Sequence, residues 1–203
     1  MKKNLIISFW VFLLGCLTIT YAQDAVVKPT INTQEAIFAM GCFWSGAATF
    51  VNHDTNEKLS GIIAIRSGYT GGISTNPTYP AHEGHQEAVK IVFNPGAISY
   101  AQLLDIFWHN VDPFDAQGQF CDKGKSYTST IYYKDDTQKK QALESKKTME
   151  KQLKKSIVTA IKAATPFYDA EEYHQDYKSK NPVRYKVYRW NYGRDQRLKE
   201  IWK

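Results

Sequence analysis

With 203 residues, of which 43% are apolar, the chain can build one domain of ordinary core size plus appendages. Its formal net charge of +6 is spread out and densest from Lys139 to Lys155, where Lys alternates with Glu and Leu in helical fashion. That pattern excludes the concentrated basic patch that a nucleic-acid groove requires.

The first residues belong to targeting rather than to the fold. Lys2 and Lys3 form a positive leader, and Leu5 to Leu14 is an apolar stretch too short to span a bilayer comfortably. Thr20-Tyr21-Ala22 before Gln23 suits ordinary signal cleavage, whereas Leu13-Leu14-Gly15-Cys16 resembles a lipobox in which Cys16 would carry lipid. Cleavage after Ala22 is favoured, because Leu17 to Thr20 continue the apolar run past the cysteine. Either route exports the chain to the periplasm or beyond, with membrane attachment only through a lipidated Cys16. Removing residues 1–22 takes away two lysines and no acids, so the charge falls from +6 to +4.

A polar lead-in over 23–33 precedes a domain over 34–203. Residues 35–40 read as a strand that stops at Gly41, and a helix follows from Cys42 to about Val51. In such a turn the Cys42 sulfur lies near the helix's first N–H groups, which favour a thiolate. The competing reading is a structural cysteine in an aromatic core. Strands are predicted over 61–67, 88–93, 128–133 and 157–163. Ser99 caps a helix whose Tyr100, Leu103, Leu104, Phe107 and Trp108 share one face, and a long Lys/Glu-rich helix spans 137–155. Asp169 and Glu172 form a capping-box-like pair ahead of a short helix carrying Tyr173 and Tyr177. The segment after Pro182 is a basic, aromatic tail.

Two long irregular stretches carry the polar chemistry, and loops of that length are more often functional than idle. His82 and His85 are three residues apart around a glycine, the wrong spacing for a helical zinc site, and no third ligand is evident. Glu87 begins the 88–93 strand. It is either an exposed edge charge or a partly buried carboxyl whose raised pKa suits a general acid. Cys121-Asp122, with Gly124 and Tyr127, is either an Asx-type turn or a thiol, carboxylate and phenol brought together. Cys42 and Cys121 could form one structural disulfide or a redox pair.

In order, the chain carries Gly41-Cys42-Phe43-Trp44, Gly68-Tyr69-Thr70-Gly71-Gly72, Asn76-Pro77-Thr78-Tyr79 and Gly84-His85-Gln86-Glu87. Asp112-Pro113, Gln119-Phe120-Cys121-Asp122, Ser126-Tyr127, Thr165-Pro166-Phe167-Tyr168 and Tyr173-His174-Gln175 follow. Together these resemble the peptide methionine sulfoxide reductase A (MsrA) family over roughly residues 34–182. The resemblance implies a single two-layer α+β domain of ferredoxin-like type, with a mixed central sheet, flanking helices and long coil segments. It also implies reduction of methionine S-sulfoxide, free or in proteins, by a monomer that needs no cofactor and no metal and is recycled by a thioredoxin-like dithiol.

By the same resemblance Cys42 matches the sulfur nucleophile, Phe43 and Trp44 the methyl pocket, and Glu87 the acid. Tyr79 and Tyr127 match the phenols on the sulfoxide oxygen, and Asp122 an organising carboxylate. The chain departs from the family in having Ala47 where an acid is common, a shortened stretch from Tyr79 to Glu87, and no cysteine beyond Cys121. Cys121, which adjoins the matched Asp122, is the candidate resolving thiol. Two rivals make other predictions. A cysteine hydrolase would pair Cys42 with His85, and a binding protein would hold a stable Cys42–Cys121 disulfide.

Overall fold

A computed structural model describes residues 32–203. The signal segment, its cleavage and lipidation sites and most of the polar lead-in lie outside them. Strand β1 (Gln34–Ala39) leads into helix α1 (Phe43–Thr49), strands β2 (Ile62–Thr70) and β3 (Gln86–Phe93), and helix α2 (Tyr100–Trp108). A small hairpin of β4 (Gly118–Gln119) and β5 (Asp122–Lys123) precedes β6 (Thr130–Tyr133) and α3 (Asp136–Leu153). The chain closes with β7 (Ala160–Ala163), β8 (Tyr168–Asp169), α4 (Tyr177–Lys180), α5 (Pro182–Asn191) and α6 (Arg194–Ile201).

The main sheet has the order β7-β6-β1-β3-β2-β8. Its central four strands, β6-β1-β3-β2, pair antiparallel with helices α1 and α2 in the two crossovers, which is the ferredoxin-like arrangement expected. β7 joins parallel to β6 and makes the sheet mixed. One face is covered by a core in which Phe38 meets Phe50, Tyr100 and Phe107 at ring distances of 6.0, 6.2 and 5.2 Å. The apolar side of α2 is buried there, and Ser99 and Gln102 close a capping box at its start. On the other face Ile37, Ala39, Ala88 and Tyr132 lie beneath Ala164 and Phe167.

Several element boundaries differ from the sequence reading. β2 continues through Gly68, Tyr69 and Thr70, because those residues pair with Ala88, Glu87 and Gln86 of β3. Asp169 does not cap a helix. It lies in β8 and bonds the Arg66 guanidinium at 2.9 Å, while the helical turn after it begins only at Glu172. The strand predicted over 157–163 is confined to β7, where pairing with β6 fixes it. The tail after Pro182 forms two helices, with Pro182 at the first turn of α5, where its missing N–H costs nothing.

Candidate active site

The strand-to-helix turn after β1 sets the site. Gly41 has φ +79°, and a Cβ there would fall 2.6 Å from the Gln119 Cβ, so glycine is needed on both counts. Cys42 occupies the N-cap of α1, and its carbonyl accepts from the N–H groups of Ser45 and Gly46 at 3.1 and 3.0 Å. The next N–H, that of Phe43, donates to Glu87 Oε2 at 2.9 Å. Glu87 is the second residue of β3, paired with Tyr69 and only 1% exposed, so the exposed-edge reading fails.

Burial decides the protonation of both groups. It pushes the Glu87 carboxyl up to about 8 against the opposing hydrogen bond from the Phe43 N–H, and the charge of Asp122 adds to the rise. At neutral pH Glu87 is therefore an acid with a proton to give. Cys42 is also pushed up, by burial first and then by Glu87. This corrects the expectation of a resting thiolate. The Trp44 N–H at the helix start does oppose the rise, but Cys42, only 7% exposed and beside a carboxyl, loses more hydration than that N–H returns.

The remaining predicted residues converge on the same place. Tyr127 neighbours Glu87 and helps to hold its carboxyl down against burial. The Tyr79 ring lies 6.4 Å from that of Phe43, and the phenol feels the charges of Glu87, Cys42 and Asp122 after its own burial. Tyr79 is 40% exposed and forms the open side of the site. Its loop is pinned by Glu171, which accepts from the Tyr79 N–H at 2.8 Å and from the Tyr69 hydroxyl at 3.0 Å. Asp122, at the start of β5, is raised by burial to about 6 while Tyr188 and Arg194 hold it down, so at neutral pH it is mostly ionised. The two carboxyls are split into an acid and a base by their surroundings.

An aromatic wall surrounds the sulfur. Trp44 stacks on Tyr177 with centroids 3.7 Å apart and 3° between planes, and its indole N–H donates to His174 Nδ1 at 2.9 Å. The His174 ring lies 4.9 Å from Phe43 and 4.5 Å from Tyr79. With Nδ1 accepting, the imidazole is held neutral, in keeping with the downward push of burial.

Cys121 sits apart from this wall. With Phe120 it forms the two-residue turn of the β4–β5 hairpin, and Phe120 holds the left-handed φ of +55°. The Arg194 guanidinium lies 4.9 Å over the Phe120 ring. Cys42 and Cys121 are both free thiols, one buried and one exposed, so the reading of a standing disulfide fails. His85 directs Nε2 to the hydroxyl and carbonyl of Ser74, both at 3.0 Å, which removes the Cys42–His85 dyad of a hydrolase.

The sequence reading assigned no role to His174, Glu171, Tyr177, Tyr188 or Arg194. Tyr188 of α5 donates to Asp122 Oδ2 at 3.4 Å, and its ionisation is opposed by the neighbouring Cys42 and Asp122. Its signal was present as Tyr185, Tyr188 and Tyr192, spaced at helical intervals after Pro182. Among the described residues no group of three or more His, Cys, Asp or Glu is arranged to hold a metal ion.

A family model described as peptide methionine sulfoxide reductase matches residues 34–203. A protein of Ligilactobacillus salivarius called peptide methionine sulfoxide reductase MsrA is 50% identical over 178 residues, which cover 85% of this chain and 99% of that one. Among solved structures, Mxr1 of Saccharomyces cerevisiae in reduced form is similar with a TM-score of 0.68 and 28% identity, over 74% of this chain and 87% of that one. Mxr1 in complex with Trx2 shares the fold with a TM-score of 0.52 and 21% identity, over 76% and 91% of the two chains.

Proposed function

The chain belongs to the peptide methionine sulfoxide reductase family, and from that premise we propose that it reduces the S epimer of methionine sulfoxide, free or in proteins, through Cys42. The observation that carries this reading is Glu87, a buried carboxyl that keeps its proton near neutral pH beside a cysteine sulfur. A sulfoxide oxygen is a strong acceptor and a poor leaving group, so it needs that proton. The sulfoxide methyl enters between Phe43 and Trp44, and its oxygen faces Glu87, Tyr79 and Tyr127. Cys42 attacks the sulfoxide sulfur as its own proton departs, and Glu87 protonates the oxygen. The hydroxyl then passes to the Cys42 sulfur as the methionine sulfur's bonds to oxygen and to Cys42 break, leaving methionine and a sulfenic acid on Cys42.

Cys121 then attacks the sulfenic sulfur, water leaves, and a Cys42–Cys121 disulfide forms. One sulfur is buried and the other exposed, so the β4–β5 hairpin moves to bring them together. A thioredoxin-like dithiol returns the pair to thiols; the complex of Mxr1 with Trx2 supports a reductant of that class. The enzyme acts as a monomer outside the cytoplasm, repairing exported proteins. Mass spectrometry of the mature N-terminus tests that placement, expecting Gln23 and overturned by the intact leader.

The deciding assay is dithiothreitol-driven reduction of the separated epimers of a methionine sulfoxide peptide by wild type and Cys42→Ser. Turnover of the S epimer alone, abolished in the variant, is expected. Equal activity in the variant refutes the mechanism. One equivalent of substrate without reductant should leave a Cys42–Cys121 disulfide, and a lasting Cys42 sulfenic acid would exclude Cys121 as the resolving thiol.

A further inference from the structure

Resting on the reading above, one requirement is still unmet: the thiol proton of Cys42 must go somewhere as the sulfur attacks. Glu87 cannot take it, since it holds the proton destined for the oxygen. The Tyr188 hydroxyl lies between the two groups concerned. It neighbours the Cys42 thiol, whose upward push it opposes, and donates to Asp122 Oδ2 at 3.4 Å. The ring is fixed edge-on to Trp44 at 5.7 Å and packs against Tyr192 at 4.5 Å. α5 thus holds the phenol against the site rather than leaving it to swing in solvent.

We propose that Tyr188 is a further catalytic phenol, which passes the Cys42 proton to Asp122 and then donates a hydrogen bond to the sulfur. The balance closes. The Cys42 S–H proton moves onto the phenol oxygen while the phenol proton moves onto the Asp122 carboxylate, and Tyr188 stays neutral throughout. The sulfur, freed of its proton, gives two electrons to the sulfoxide sulfur. Glu87 supplies the proton that ends on the sulfenic oxygen, and Asp122 then loses its proton to solvent as Glu87 regains one. Cysteine thiol plus sulfoxide becomes cysteine sulfenic acid plus thioether, with no other reactant.

The ionisable groups facing this path come from several elements. They are Glu87 of β3, Asp122 and Lys123 of β5, Tyr79 of its loop, Tyr127 of the helical turn after β5, and Arg194 of α6. Arg194 is fully buried and donates to the Asn110 carbonyl at 2.5 Å. Its charge keeps Asp122 ionised and ready to accept. Asp122 is thus a base with a route to the sulfur, beyond its role as an organising carboxylate.

The test uses the full enzyme and compares Tyr188→Phe, Asp122→Asn and the double variant. Tyr185→Phe, on the same helix but outside the path, serves as control. The rate of methionine release in the first turnover should fall by about 10²-fold or more in each single variant. The double variant should be no slower than the slower single one, because both residues serve one transfer. Iodoacetamide labelling of the Cys42 peptide at fixed alkaline pH should slow by about tenfold in Tyr188→Phe, since the thiolate loses a charged hydrogen bond. A Tyr188→Phe rate equal to wild type overturns the proposal. So do losses that multiply in the double variant, and so does a slowed turnover with wild-type labelling, which marks a merely structural role. A wild type that reduces no sulfoxide refutes the reductase reading itself, a separate result.

Discussion

Glu87 shows how one burial event sets reactivity and stability together. Its proton is kept up to about 8, while Asp122 loses its own above about 6. The first-turnover rate should therefore be highest between these values and fall on either side, the acid limb belonging to Asp122 and the alkaline limb to Glu87. Glu87→Gln should lose about 10²–10⁴-fold in that rate and show no alkaline limb of this origin; stopped-flow measurement across pH checks it. The stability effect has a fixed sign. The folded pKa lies above the ordinary value of 4.5, so the contribution is full below about 4.5 and drains away as pH rises through about 8. Urea midpoints should fall over that window more steeply in wild type than in Glu87→Gln.

The residues of this centre were legible in the sequence to unequal degrees. Cys42, Phe43 and Trp44 follow a strand stop and a glycine, a pattern whose geometry is local. Glu87, Tyr79, Asp122 and Tyr127 could be placed only because their motifs occur together in order, since β2–β3 pairing and the loop pinned by Glu171 are not local facts. The protonation of Cys42 was misjudged because helix-end donors can be read from sequence and burial cannot.

At the scale of elements, the C-terminal segment was the least legible part, for a physical reason. On α5 the buried Tyr185 and half-buried Tyr188 face inward, while Val183, Val187 and Trp190 on the opposite side are exposed. A helix with apolar residues on both faces gives no clean period to find. What docks this segment is Gln175, whose buried amide accepts from the Ser67 N–H at 2.9 Å and donates to the carbonyls of Ser67 and Ala170 at 2.9 and 2.8 Å. Gln175→Ala leaves the Ser67 N–H of β2 unpartnered, while the Ser67 carbonyl keeps the Ala170 N–H at 2.9 Å, and should cost about 1–3 kcal/mol. The segment it anchors carries His174 and leads to Tyr188, so chemical denaturation should report the loss of stability and the first-turnover rate should fall with it.

Over the whole molecule, support and site share one face of the sheet, with Cys42 and Phe43 at one end of the same core as Phe38, Phe50, Tyr100 and Phe107. The cluster of Phe38, Phe50, Tyr100 and Phe107 lies under α2, whereas the reacting groups gather around the start of α1 and the long loops. Phe107→Ala should remove about 3–5 kcal/mol and lower the melting temperature, while the surviving folded fraction keeps its first-turnover rate. The ferredoxin-like core was expected through the family resemblance; local patterns supplied its strands and one amphipathic helix but not their order in the sheet. The edge strands β7 and β8 were only roughly readable, since short segments take their form from the partner they join.

The buried, protonated sulfur of Cys42 also bears on how the protein survives the oxidants whose damage it repairs. Peroxides and electrophiles react with thiolates in reach of solvent, and the resting Cys42 offers neither property. A sulfoxide that fits the aromatic slot brings its own acceptor to the Glu87 proton, which a small oxidant passing in solvent does not. Cys121, at its exposed turn, meets such reagents first. Native protein treated briefly with iodoacetamide at neutral pH should therefore carry label on Cys121 well before Cys42, as peptide mass spectrometry would read directly. The burial that keeps Cys42 protonated at rest thus also shields it from bystander oxidation.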